Sequence, residues 1–122
     1  MGYWVYLARC GNNTIYTGAT TDLIRRAHEH NRGFSGGRGA KYTASHLPVT
    51  LVQAWEVVSW SNALRLEHAI KKCSRREKEQ LIEQAGQIYH LAERRKLAFL
   101  ISEVSRELLT GTNHSNNGSF EV

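Results

Sequence analysis

The sequence predicts an α/β domain of the α+β type: a small three-stranded antiparallel sheet flanked by helices, with a C-terminal amphipathic helix extension. Three observations carry that expectation. Two short runs of strand-forming residues, Tyr3 to Cys10 and Thr14 to Gly18, flank Gly11-Asn12-Asn13 and read as a β-hairpin. A third run, Val49 to Val58, follows the only proline, Pro48, and its β-formers suit a central strand. Between and after these runs lie segments with helix-capping residues and apolar positions at helical spacing.

In the hairpin, Tyr6 and Tyr16 are each five residues from Gly11. Pairing centred on that glycine sets them roughly opposite each other, and the two-residue side-chain period puts both hydroxyls on one face. A Thr or Asp in Thr20-Thr21-Asp22 caps a helix that stops at Asn31 and Gly33. On it, Arg26 and His30 are i and i+4 neighbours that project from the same side. Gly33 to Tyr42 is glycine-rich and is expected to be the most flexible stretch before the tail. It lacks the G-K-[ST] ending of a phosphate-binding loop, which argues against a nucleotide cofactor. Arg38 and Lys41 in this stretch suit phosphates, and Phe34 and Tyr42 offer stacking faces for a nucleic acid.

Ser61 can cap a helix running to about Lys72 that buries Leu66, Ala69, Ile70 and Cys73. Ser74-Arg75-Arg76-Glu77 fits a capping box, so a new helix begins there and ends near Gly86. Leu91, Leu97, Ile101, Val104 and Leu108 repeat as one amphipathic helix from about His90 to Leu109, packed on the domain, on a partner or on a second copy. Thr110 to Val122 is polar and expected to be disordered. The organisation is therefore a domain over residues 1–86, a helical extension over 87–109 and a tail over 110–122.

With 122 residues the chain makes one domain with a modest core. The net charge is +5, and it is unevenly spread. Residues 1–50 hold six Lys/Arg against Asp22 and Glu29, and a second basic run covers Lys71, Lys72, Arg75, Arg76 and Lys78; after Leu97 acids outnumber bases. Basic character thus follows the part that carries the tyrosines and Arg26, as expected of a surface that tracks a phosphate backbone. No signal-peptide pattern and no apolar run of membrane-spanning length is present, so a cytoplasmic protein without a membrane partner is expected. Cys10 and Cys73 lack C-x-x-C spacing and the six histidines are scattered, which argues against zinc and for reduced, partly buried thiols.

These residues and their order resemble the GIY-YIG endonuclease superfamily, in its compact, standalone, bacterial-type form, over residues 3 to about 85. The tyrosine that ends the GIY triplet matches Tyr6 in Trp4-Val5-Tyr6, and the one that opens YIG matches Tyr16 in Tyr16-Thr17-Gly18. The following helix aligns Arg26 and His30 with the family's arginine and histidine, and the family's metal-binding glutamate matches Glu67. The resemblance implies an endonuclease dependent on Mg2+ or Mn2+ that cuts DNA by a one-metal hydrolysis, leaving a 5′ phosphate and a 3′ hydroxyl.

The residue types suit that chemistry. Hydrolysis needs a deprotonated water and stabilisation of charge developing on the phosphate. A lone carboxylate, Glu67, fits a magnesium ion that keeps most of its waters. The planar guanidinium of Arg26 stays charged and donates in a fork to phosphate, while Arg25 suits a nonspecific contact. An unperturbed phenol has a pKa near 10, so Tyr6, the first choice for the base, needs nearby cations or an acidic water. His30 then orients or accepts from a tyrosine hydroxyl, and Tyr16 aligns the water or phosphate, with the two phenols' roles exchangeable. Arg25, Arg38, Lys41, Lys71, Lys72, Arg75 and Arg76 make up the expected DNA-binding surface. Single-stranded DNA is favoured and branched or flap DNA is the second choice. The competing reading, a non-catalytic nucleic-acid-binding module, rests on Trp4-Val5 standing where the family has Gly-Ile.

Overall fold

The computed structural model describes residues 2–32 and 48–109, apart from the side chains of residues 30–32. Strands β1 (Tyr3–Arg9) and β2 (Ile15–Thr20) form the hairpin and lead into helix α1 (Leu23–Arg32). Strand β3 (Thr50–Val57) is followed by helices α2 (Trp60–Lys71), α3 (Arg75–Glu83) and α4 (Ile88–Arg94), with a 3₁₀ turn at Ala85–Gln87 before α4. The glycine-rich stretch with Phe34, Arg38, Lys41 and Tyr42, and the tail after Leu109, lie outside the described residues.

The sheet has four antiparallel strands, not the expected three, in the order β2-β1-β3-β4. The added strand, β4, is Ser102–Glu103 alone, pairing Glu103 with Trp55 and Ser102 with Glu56. Two exposed polar residues carry no alternation for a sequence pattern to detect. β3 is internal, as expected.

The hairpin register also differs from expectation. Tyr6 pairs with Gly18 and Ala8 with Tyr16, which centres the loop on Asn12 instead of Gly11. Asn13 closes it: its N–H donates to the Cys10 carbonyl at 2.8 Å, and its φ of 67° is the left-handed conformation asparagine tolerates well. Moving the centre by one residue shifts each partner by two, so the tyrosines become diagonal neighbours and stay on one face.

Helix caps follow local chemistry. Asp22 Oδ1 accepts from the Arg25 N–H at the start of α1. The Ser74–Glu77 capping box forms in both directions. α2 begins two residues earlier than expected, because Ser59, extended at φ −145° and ψ 156°, accepts from the Asn62 N–H. The expected helix over 90–109 stops at Arg94. Lys96 adopts φ 58°, its N–H donates to Glu93 O and the Leu97 N–H donates to Ala92 O at 2.8 Å, a Schellman closure with lysine where glycine is usual. The apolar repeat beyond it serves a loop, β4 and a helical turn at 106–109.

Two buried clusters sandwich the sheet. Val5, Leu7, Ala19, Trp55 and Val57 meet Leu66 and Ile70 of α2, Leu81 of α3 and Ile88 and Leu91 of α4. On the other face Tyr6, Ala8, Leu51 and Ala54 meet Leu23 and Ala27 of α1. Trp55 is fully buried, and Trp4 and Trp60 are partly buried against the clusters. Cys10 and Cys73 are buried free thiols, and burial raises the pKa of both.

Candidate active site

Strand pleating sets the first part of the site. Tyr6 on β1 and Tyr16 on β2 share the sheet face that carries α1, with ring centroids 6.3 Å apart and planes tilted by 45°. Gly18, directly across from Tyr6, makes room for them. A Cβ there would lie 2.5 Å from Tyr6 Oη, 2.6 Å from Tyr6 Cζ and 2.9 Å from Tyr16 Cε2. The glycine is required sterically, not for its backbone freedom. Tyr6 is 1% exposed, whereas Tyr16, on the edge strand, is half-buried. Of the two phenols, whose roles the sequence leaves exchangeable, that of Tyr16 belongs to the less buried residue.

α1 brings Arg26 to the same face, between the buried Leu23 and Ala27. Sequence alone leaves Arg25 and Arg26 nearly equivalent, and the fold separates them. The Arg25 side chain is 60% exposed, while that of Arg26 is 10% exposed. Glu29 lies near both guanidinium groups, 3.6 Å from Arg25 Nε and 3.7 Å from Arg26 Nε, both too long for a hydrogen bond. Among the described residues, the buried Nε and Nη1 of Arg26 have no hydrogen-bond partner, nor has Glu29 Oε1. Buried donors left this way are costly, by about 1–3 kcal/mol each, and such a group calls for a functional or structural explanation. Glu29 was not singled out from the sequence, although its i+3 and i+4 spacing from the two arginines was the available signal. His30 is on α1, and its side chain lies outside the described residues.

Glu67 is 3% exposed on the buried stripe of α2, in line with Ala63 and Ile70. That helix packs on the sheet face opposite the phenols, touching both β1 and the edge strand β2. The structure thus pairs the tyrosines and places Arg26 on their side, and it holds Glu67 in the other layer. Lys71 Nζ approaches Glu67 Oε2 at 3.5 Å. Among the described residues no group of three or more His, Cys, Asp or Glu side chains gathers as metal ligands. The donor set fits a hard cation held by one carboxylate and otherwise by water and phosphate oxygens, and does not fit an all-protein cage.

The expected DNA-binding cations divide. Arg75 is tied to Glu79 at 3.0 Å and Lys71 to Glu67, whereas Lys72 and Arg76 are exposed and outside the described ion pairs. A bidentate pair absent from the sequence reading, Arg9 with Glu79 at 2.7 and 3.1 Å, ties the end of β1 to α3. It holds the Glu79 carboxyl down at about 2, mainly through the hydrogen bond from Arg9.

Residues 2–80, which include every one of these positions, match the GIY-YIG catalytic domain. The chain belongs to the GIY-YIG family. It is 42% identical over 89 residues to UPF0213 protein BH0048 of Halalkalibacterium halodurans, across 73% of this chain and 90% of that one. It is 49% identical over 81 residues to a UPF0213 protein of Syntrophus aciditrophicus, across 66% of this chain and 90% of the relative. The solution NMR structure of UPF0213 protein BH0048 from Bacillus halodurans aligns with a TM-score of 0.45 at 37% identity, over 82% of this chain and all of that one. The GIY-YIG domain is a nuclease domain that acts on DNA and generally depends on a divalent metal. No helix among the described residues is long and apolar enough to cross a membrane.

Proposed function

We propose that this chain is a metal-dependent DNA endonuclease that hydrolyses phosphodiester bonds with one Mg2+ or Mn2+ ion and favours single-stranded DNA. The observation that carries the proposal is Arg26, a buried guanidinium whose Nε and Nη1 make no hydrogen bond among the described residues, on the sheet face of the tyrosine pair within a matched nuclease domain. Arg26 donates from Nε and Nη1 to the non-bridging oxygens of the scissile phosphate, where negative charge accumulates. Tyr16, the less buried of the two tyrosines, holds the attacking water and takes its proton. Tyr6, closed off beside it, positions Tyr16 through the ring contact. His30, one turn beyond Arg26, orients a tyrosine hydroxyl. Glu67 is the ligand for the cation, which, when bound, neutralises charge at the phosphate and acidifies water. In this reading the carboxylate and the phenols act on one phosphate around the β2 edge, supported by the contact of α2, which carries Glu67, with the strand that carries Tyr16.

Incubating labelled single-stranded, duplex and forked DNA with the protein, with Mg2+ or with EDTA, tests this. Metal-dependent cutting is expected, strongest on single strands, and reduced by roughly 10²–10³ in Arg26→Ala. Glu67→Gln should lose both cutting and Mn2+ binding measured calorimetrically. Retarded mobility without cutting in every metal condition would instead establish a binding module.

A further inference from the structure

Six of the described basic side chains already have acidic neighbours. Arg9 and Arg75 share Glu79, Arg25 and Arg26 share Glu29, Lys71 has Glu67, and Arg94 has Glu77. Arg65, Lys72 and Arg95 differ: among the described residues they take part in no ion pair, and they converge on one cavity of about 330 Å³. His68 joins them, Leu64 and Leu97 form its apolar floor, and no carboxylate lines it. The cavity lies between the outward side of α2 and the segment released by the Schellman turn at Lys96. Arg65 is exposed, and its guanidinium lies over the Phe99 ring at 5.4 Å from the centroid, a flat cationic platform.

We infer that this groove binds a single-stranded nucleic acid segment, as a second site for the substrate away from the point of cleavage. Unpaired cations supply phosphate contacts, while the leucine floor and the Arg65–Phe99 platform take a sugar or base face. A duplex offers the phosphates but keeps its base faces stacked, so the groove discriminates in favour of single strands. Glu67 and His68 are consecutive on α2, one facing the sheet and the other the cavity, so a strand leaving the site around this helix reaches the groove. The inference rests on the nucleic-acid reading above and on no step of its chemistry.

The test is fluorescence anisotropy with labelled oligo(dT) and a matched duplex, in EDTA so that no cutting intervenes. The double variant Arg65→Gln/Arg95→Gln should weaken oligo(dT) binding roughly tenfold and lower the salt slope by about 1.4, with a much smaller change for duplex. Leu64→Ser should weaken single-strand binding with the salt slope kept. Circular dichroism checks folding, and photocrosslinking of the unaltered protein to bromodeoxyuridine strands, expected at residues 64–72 and 95–99, decides the matter if a variant unfolds. Unchanged oligo(dT) affinity in the double variant overturns the inference even if the protein cuts DNA. Binding of labelled poly-glutamate that the double variant loses, with no oligo(dT) binding, overturns it in favour of an acidic protein partner. Groove-dependent binding without cutting in Mg2+ or Mn2+ supports the inference and removes the nuclease reading.

Discussion

The two faces of the sheet differ in the kind of buried polar group that lacks a hydrogen bond among the described residues: the Thr17 hydroxyl on the face of Leu7, and a guanidinium with a carboxylate oxygen on the face of Tyr6. On the face covered by α2, α3 and α4, the Gln53 amide donates to Leu81 O and Ile82 O, and Trp55 Nε1 donates to Ala85 O at 3.0 Å. These bonds tie strand to helix inside the larger apolar cluster. On the face covered by α1, Arg26 keeps its buried Nε and Nη1 without a hydrogen bond among the described residues, beside a tyrosine pair crowded over a glycine. One face is built for cohesion. The other keeps an ion-paired guanidinium short of hydrogen bonds, which makes it the face to examine for function.

That contrast can be broken most decisively at Trp55. Trp55→Ala should cost about 3–5 kcal/mol by removing a fully buried ring and its hydrogen bond, read as a lower denaturation midpoint. A loss below about 1 kcal/mol would mean that the helical face is not the cohesive one. Next in size is Arg26→Ala, whose large loss of cleavage should come with equal or higher thermal stability, because the buried donors leave with the side chain. A marked fall in melting temperature would reclassify Arg26 as structural.

Gly18→Ala should cost about 1–3 kcal/mol through overpacking against Tyr6 and Tyr16, and should lower cleavage by displacing both rings. Normal activity and stability together would contradict the close approach. The smallest effect concerns pH. The folded Glu79 carboxyl titrates at about 2 against an ordinary 4.5, so its pairing stabilises the fold above about pH 4.5 and is lost as pH falls toward 2. The pair is more than a third exposed on the Glu79 side, so solvent screening keeps the effect modest. The acid-induced drop in melting temperature should shrink in Glu79→Gln and in high salt, and an identical drop in that variant would exclude the pair as its source.

Period and capping chemistry were legible along the chain. A two-residue period is indifferent to the hairpin's true centre, so Tyr6 and Tyr16 share a face even though Gly18, and not Tyr16, stands across from Tyr6. The Ser74–Glu77 capping box and the Asp22 cap are local bonds between residues three apart, and both formed where the sequence placed them. Distances set by the packing of remote segments were not legible. Nothing in Arg25-Arg26 tells which guanidinium is buried until α1 lies on the sheet, and nothing in Lys96 announces a left-handed residue.

Local and periodic physics therefore decided which elements form, which side chains share a face and where the basic residues gather. Tertiary packing decided which tyrosine is fully buried, which arginine loses its solvent, that a two-residue strand extends the sheet, and that three cations with no ion pair among the described residues line one cavity with Leu64 and Leu97. Burial and pairing are properties of surfaces brought together from distant parts of the chain, and no window of neighbouring residues contains them.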